Sequence, residues 1–223
     1  RRDGKEPPDI DHLPLDDALE SGLDFAYSPR FGYLTACPTN VGTGVRLSVM
    51  LHLPALRLTG NIEKVKRAAA DMSLAVRGFY GEGSDAAGDL YQISNQTTLG
   101  KTEQALLAEL EQQIIPKVIE YERRERRVLT TRRTVDLHDQ VHRAFGTLTH
   151  ARLMSTEESM QLLSLVRLGV LTGVLSRIDQ ATVNHLFLLT QPAHLQRAVG
   201  RELDQDQRRT ARAQLLRERL VGN

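Results

Sequence analysis

The stretch Cys37-Pro38-Thr39-Asn40-Val41-Gly42-Thr43-Gly44-Val45-Arg46 runs directly into Leu47-Ser48-Val49-Met50-Leu51-His52-Leu53. Its second part decides the local structure. From Val45 to Leu53, Arg46, Ser48 and His52 fall at intervals of two or four among apolar residues, so one face is apolar and the other polar, as in a half-buried strand. The first part holds two glycines and two threonines just before that strand. Such a loop lets backbone N–H groups converge on an anion, and Arg46 follows with a guanidinium that can grip phosphate oxygens in two places. On pattern alone, a tight hairpin with a surface arginine is the simpler reading.

Arg77-Gly78-Phe79-Tyr80-Gly81-Glu82-Gly83-Ser84 repeats the theme of an arginine at a strand end followed by a glycine-rich loop, here carrying one acid. Singly it is an ordinary turn; two such units in one segment point to an anion site. Around them, Tyr33–Ala36, Leu74–Tyr80 and Leu90–Asn95 read as strands. Ile62–Met72 reads as a helix with Asn61 as its N-cap. After Gly100 the pattern turns helical. Thr102 caps a long helix with Leu106, Leu110, Ile114, Val118 and Tyr121 on one face, and Pro116 should kink or divide it. Helices follow at 134–152, 155–168, 179–189, 192–199 and 205–220. Ser155 and Glu158 form a capping-box pattern. The first 30 residues, with Pro7, Pro8, Pro14 and Pro29, read as an irregular entry with a short helix near Asp16–Ser21.

The chain of 223 residues is long enough for one large core or two small ones. Lys and Arg number 29 against 28 Asp and Glu, a balance that argues against a nucleic-acid coat. No apolar run reaches the ~20 residues of a membrane helix; Leu162–Leu175 is interrupted by Arg167. A single cysteine and no opening signal peptide fit a cytoplasmic protein. The chain opens on Arg1 rather than Met, as a piece of a longer protein would.

From Phe31 to Arg46 the sequence resembles the reactive-cysteine segment of the phosphagen (guanidino) kinases. The continuations Ser48–Leu56, Arg77–Ser84, Gln92–Gln96, Thr98–Lys101, Leu189–Pro192 and Leu216–Leu220 are similar to the bacterial protein arginine kinase family. The resemblance covers about Leu23 to the C-terminus. It implies an α+β fold: an antiparallel-sheet phosphagen-kinase-like catalytic portion over 23–130, entered through a segment at 1–22 and followed by an all-α helical domain over 131–223. It implies ATP and Mg²⁺ as cofactors and transfer of a phosphoryl group to arginine side chains of proteins. Arg46, Leu47, Ser48, Val49 and Met50, with Arg77, Gly78, Phe79, Tyr80, Gly81 and Glu82, would line the nucleotide site. Glu82 would orient the guanidinium and draw off a proton, because a delocalised guanidinium is a poor nucleophile. Cys37 would lie beside the substrate guanidinium as a thiolate.

The same resemblance implies protein substrates with exposed arginines, a zinc-binding activator protein, a Clp-type unfoldase, a heat-shock repressor, a homo-oligomer, and a role in stress response and protein quality control. The charge balance and the lack of a long apolar run argue for no membrane and no direct nucleic-acid partner.

The chain departs from the family in two places. The Ser-x-Arg-x-Arg motif and the Asn-Glu-Glu-Asp loop of a complete kinase are absent from this sequence, so the alternative is a non-catalytic phosphate- or partner-binding module. In the tail, Arg208-Arg209-Thr210-Ala211-Arg212-Ala213 stands where the family has its phosphoarginine-binding motif, with Arg209 in place of an Asp. Arg208 and Arg212, four apart, could still grip a phosphate. The run Glu122–Arg127 reads as a solvated helix face laced with ion pairs. His138 and His142 are also four apart, but no third ligand is evident, so no metal site is assigned.

Overall fold

The computed structural model describes residue 19, residues 21–78 and residues 87–221. Strands β1 (Tyr27–Ser28) and β2 (Gly32–Tyr33) form a small antiparallel ladder. This replaces the expected strand at Tyr33–Ala36. The pair is fastened by rings, with Tyr33 meeting Tyr27 and Phe25 edge-on at 5.4 and 6.0 Å. The expected helix near Asp16–Ser21 lies largely outside the described residues.

Among the described residues the main sheet has three antiparallel strands in the order β3 (Ser48–His52), β5 (Leu90–Asn95), β4 (Leu74–Gly78). β3 is shorter than the alternation from Val45 predicts. The side chain of Asn95 intervenes, accepting from Leu47 N at 2.7 Å and donating to Val45 O at 3.0 Å. In register, Ser48 faces Ser94, which faces Ala75, and Met50 faces Gln92, which faces Arg77. Those residues share one face of the pleat. The other face presents Val49, Leu51, Val76, Tyr91 and Ile93 to the first core.

Helix α1 (Pro54–Leu58) follows β3 at once, and α2 (Ile62–Asp71) then lays Ile62, Val65 and Ala69 on the sheet. Asn61 stands at the N-cap position, but its side chain makes no capping hydrogen bond; its amide donates to Thr59 Oγ1 instead. The long helix is divided as Pro116 foretells. α3 (Glu103–Ala108), capped by Thr102, passes through a π-helical segment (Glu109–Ile114) into α4 (Ile115–Arg132). A proline has no N–H and crowds the carbonyl four residues earlier. A wider turn just before it relieves both problems without ending the helix.

α4 breaks at Arg133, and five helices follow: α5 (Thr134–His150), α6 (Thr156–Leu171), α7 (Gln180–Leu189), α8 (Pro192–Val199) and α9 (Gln205–Val221). The cap at Ser155 forms as the sequence predicts, accepting from Glu158 N at 3.0 Å. These helices enclose a second core around Leu148, Leu163, Val166, Leu186 and Leu216. A third cluster, Ala55, Leu129, Leu137, Val141 and Leu168, joins the sheet unit to the helices. The architecture is α+β: an antiparallel sheet with its own helices, then an all-α unit.

Glu122 corrects the solvated-face reading of the α4 charges. It is buried, accepts from Ala55 N and Leu56 N at 3.2 and 3.0 Å, and takes Arg126 Nε at 2.8 Å. It therefore caps α1 from another helix.

Candidate functional site: an arginine-lined cleft at the sheet edge

Asn40, Gly44, Arg46, Arg77, Asn95 and Thr98 are among the residues lining one cleft of about 420 Å³. The fold brings Arg46 and Arg77, thirty-one positions apart in sequence, to this single site. Arg77 comes from β4, on the polar face of the sheet. Arg46 arrives from the other edge and reaches over to β5, where its Nη2 donates to Ser94 Oγ at 3.0 Å.

The loop before Arg46 is built by close backbone approach. Gly42 pairs with Tyr33 on one side and Thr98 on the other. A Cβ on Gly42 would lie 2.7 Å from the Thr98 carbonyl, and its φ of +126° suits glycine alone. Thr98 Oγ1 donates to Val41 O at 2.9 Å, which ties the loop down. The two glycine-flanked arginines thus sit on rigid supports, with hydroxyl and amide groups as neighbours.

Not every residue expected at the nucleotide site faces it. Ser48 and Met50 lie on the polar face with Arg77 but do not line the cleft, and Leu47 and Val49 pack against the first core. The alternation of a strand forces this outcome. Gly78 is buried at the end of β4. Phe79, Tyr80, Gly81 and Glu82 lie outside the described residues. Cys37 is exposed at the head of a 3-10 turn (Pro38–Asn40). It does not line the cleft, although Asn40, three residues on, does.

Arg208 and Arg212 do not stand together as an open anion grip. Arg212 is 2% exposed and donates to Thr190 O at 2.7 Å and Met154 O at 2.9 Å. Arg208 Nη1 donates to Leu203 O at 2.6 Å. Arg212 thus caps the carbonyl at the C-terminus of α7 and one in the loop before α6, and Arg208 caps one in the loop before α9. His138 and His142 are exposed, with rings 6.1 Å apart. Among the described residues no group of three or more His, Cys, Asp or Glu could hold a metal ion.

Sequence reasoning assigned no role to Ser94, Asn95 or Thr98, which support the cleft. The available signal was polar side chains within or just after a strand of the main sheet. It also missed a buried polar chain at the other end of β3. His52 Nε2 lies 2.8 Å from Ser164 Oγ, and its Nδ1 lies 2.6 Å from Arg167 Nη1. Ser164 Oγ is 2.5 Å from Asp89 Oδ2, and Asp89 takes Arg57. Burial, then the charges of Arg167, Arg126 and Arg57, holds His52 well below the ordinary imidazole range. Burial pushes the Glu122 carboxyl up, opposed by the Arg126 guanidinium and the N–H groups of Leu56 and Ala55.

Residues 12–125 match the family described as ATP:guanido phosphotransferase, C-terminal catalytic domain. The chain belongs to that family. Residues 134–222 match the Protein-arginine kinase McsB C-terminal domain, which narrows the likeness to one branch. Over 206 residues the chain is 49% identical to the protein-arginine kinase of Halothermothrix orenii, covering 92% of this chain and 59% of that one. It is 52% identical over 206 residues to the protein-arginine kinase of Symbiobacterium thermophilum, covering 92% of this chain and 58% of the relative. A solved structure of the duplicated taurocyamine kinase from Schistosoma mansoni is 34% identical over 50% of this chain and 15% of its own, with a TM-score of 0.44. The chain therefore spans less than two thirds of the length of the curated relatives it matches.

Proposed function

We propose that this chain carries the phosphate-gripping part of an ATP-dependent kinase that phosphorylates arginine side chains of proteins. The observation that carries the reading is the convergence of Arg46 and Arg77 on one cleft. Phosphoryl transfer is mainly a matter of positioning and charge neutralisation, and two guanidinium groups from opposite edges of a sheet supply both. The fit of the cleft to a nucleotide's terminal phosphates rests on its donor set, which is rich in guanidinium, amide and hydroxyl groups. With no acidic cluster among the described residues, Mg²⁺ would enter on the phosphates themselves. When bound, MgATP supplies the transferable phosphoryl group.

This chain's residues have separable roles in that reading. Arg46, steadied by Ser94, and Arg77 hold negative charge. Asn95 and Thr98 keep the glycine loop in place. Glu82 orients the guanidinium of the substrate arginine, and Cys37 lies near that cation; both assignments come from the family resemblance. The same reading takes in exposed arginines of proteins as substrates and a zinc-binding activator, a Clp-type unfoldase and a heat-shock repressor as partners. A homo-oligomer acting in the cytoplasm belongs to it too. Among the described residues no helix is long and apolar enough to cross a membrane.

The test is to incubate the gene's full-length product with ATP and an unfolded, arginine-rich protein and to look for acid-labile phosphate on that protein. Labelling that disappears in Arg46→Ala and Glu82→Gln supports the reading. Labelling that survives both substitutions removes the assignment. MgATP binding with no labelling by the folded protein would favour the non-catalytic module.

A further inference from the structure

The helical unit touches the sheet through a directed chain of hydrogen bonds. Arg167 can only donate, so the imidazole nitrogen facing it, Nδ1 of His52, must accept. The His52 proton then sits on Nε2 and is donated to Ser164 Oγ. The Ser164 hydroxyl donates in turn to Asp89 Oδ2, and the Asp89 carboxylate accepts from Arg57 Nε and, at 3.3 Å, from Arg57 Nη2. Asn184 on α7 fixes the far end, accepting from Arg167 Nε at 2.8 Å. From Arg167 through His52 and Ser164 to Asp89 every bond therefore points the same way, and the two ends are closed by Asn184 on α7 as an acceptor and Arg57 on α1 as a donor.

Ser, His and Asp together invite a hydrolytic reading, which the geometry refuses. Ser164 is fully buried, and the carboxylate holds the hydroxyl rather than the imidazole. That arrangement cannot draw the serine proton toward a base for attack on a substrate.

The position of the chain says what it does. His52 ends β3 and pairs with Leu90, which opens β5. Asp89 immediately precedes β5, and its carbonyl accepts Leu53 N at 2.9 Å. Gly88, at φ +64°, lies where a Cβ would come within 2.9 Å of Met160 O on α6. The turn Ala87–Asp89 is therefore pressed onto the helical unit, and it closes the segment that began after Arg77 and Gly78. At the other end of the same strand pair, Ser48 faces Ser94, which holds Arg46. Four residue steps of a stiff ladder, roughly 14 Å, separate the two ends.

We propose that Arg167, His52, Ser164 and Asp89 are positioning residues for the arginine cleft: through them the helical unit sets the β3–β5 strand pair and thereby the placement of Arg46 and Arg77. The proposal deepens the reading of the cleft as a phosphate site and rests on it for its functional meaning. Coupling of this kind needs a connected, two-ended structural element, and a register-locked strand pair is one.

The experiment uses the gene's full-length product and reads two things separately. The Nε–H resonances of Arg46 and Arg77 in the free protein report their placement. Titration with MgATP reports binding. Ser164→Ala and Arg167→Lys are expected to shift both arginine resonances and to weaken MgATP binding about fivefold, of the order of 1 kcal/mol. Leu220→Ala, which loosens the helical core away from the chain, should lower the melting temperature with resonances and affinity unmoved. If both positioning variants leave resonances and affinity as in the wild type, the proposal is overturned. If the resonances move but the wild type itself does not bind MgATP, the coupling stands and the phosphate reading of the cleft falls. If Leu220→Ala moves them equally, the effect is general loosening and the proposal is likewise overturned.

Discussion

The sheet unit and the helical unit use the same residue types to opposite ends. In the helical unit, Arg212 is sealed among the carbonyls of Thr190 and Met154, and Arg217 caps Ala151 O. In the sheet unit, Arg46 and Arg77 line a cleft, and Arg46 is held by a neutral hydroxyl rather than a carboxylate. A guanidinium tied to buried carbonyls contributes to folding and is unavailable to a ligand. One steadied by a weak neutral partner at a cavity keeps its charge for whatever enters. The lesson is that an arginine's role here follows from its partner and its exposure, and sequence spacing alone does not reveal either.

The sharpest way to break the contrast is to remove one arginine from each unit. Arg212→Met should destabilise the protein by about 3 kcal/mol, because two buried carbonyls lose a charged donor. A melting curve of the purified variant checks this, and an unchanged midpoint would show that Arg212 is not structural. Arg46→Ala should do the reverse. Its stability should stay within about 0.5 kcal/mol of wild type, while arginine labelling in the full-length product falls about 100-fold, or roughly 2.7 kcal/mol of transition-state stabilisation.

A second contrast lies in the titrating groups at the junction of the two units. His52 is held neutral, so the folded state resists binding the proton that the unfolded chain accepts near its ordinary value of 6.5. Its contribution to stability is fully present above that value and is lost as pH falls below it. Protonation would also turn Nδ1 into a donor facing the Arg167 donor. Glu122 has the opposite sign: its raised value favours the folded state at low pH, and that advantage is lost as pH rises from 4.5 through the raised value. Denaturant unfolding between pH 7 and pH 5 should therefore show a wild-type decline that His52→Gln flattens, by at most about 1.4 kcal/mol per pH unit. Equal slopes in both proteins would place the titration elsewhere.

The helical unit was the more legible half. Its helices α5 to α9 lie close to where the sequence predicts them, and Ser155 acts where local chemistry puts it. In the sheet unit Thr102 and Pro116 do the same, but elsewhere tertiary partners overrode local pattern. Asn95 took over the pairing of Val45 and Leu47 and shortened β3. Glu122 turned inward because the N-terminus of α1 needed an acceptor. The two cleft arginines were legible from their glycine-rich settings and from family resemblance. The Arg167–His52–Ser164–Asp89 chain was not, because its members lie between 3 and 115 positions apart and no motif joins them.

The smallest effect follows from two residues that look alike in sequence, one in each unit. Asn61 and Ser155 are both residues favoured at N-caps, each directly before a helix. Ser155 Oγ accepts Glu158 N, so Ser155→Ala should cost about 1 kcal/mol. Asn61 makes no such bond; its carbonyl takes Lys64 N and Val65 N, which alanine would do equally well. Asn61→Ala should therefore cost only a few tenths of a kcal/mol, on the order of a lost long, half-buried contact to Thr59. Chemical denaturation of the pair measures the difference directly. Equal losses would mean that Asn61 reaches its helix in solution, and that local propensity governs the sheet unit as it does the helical one.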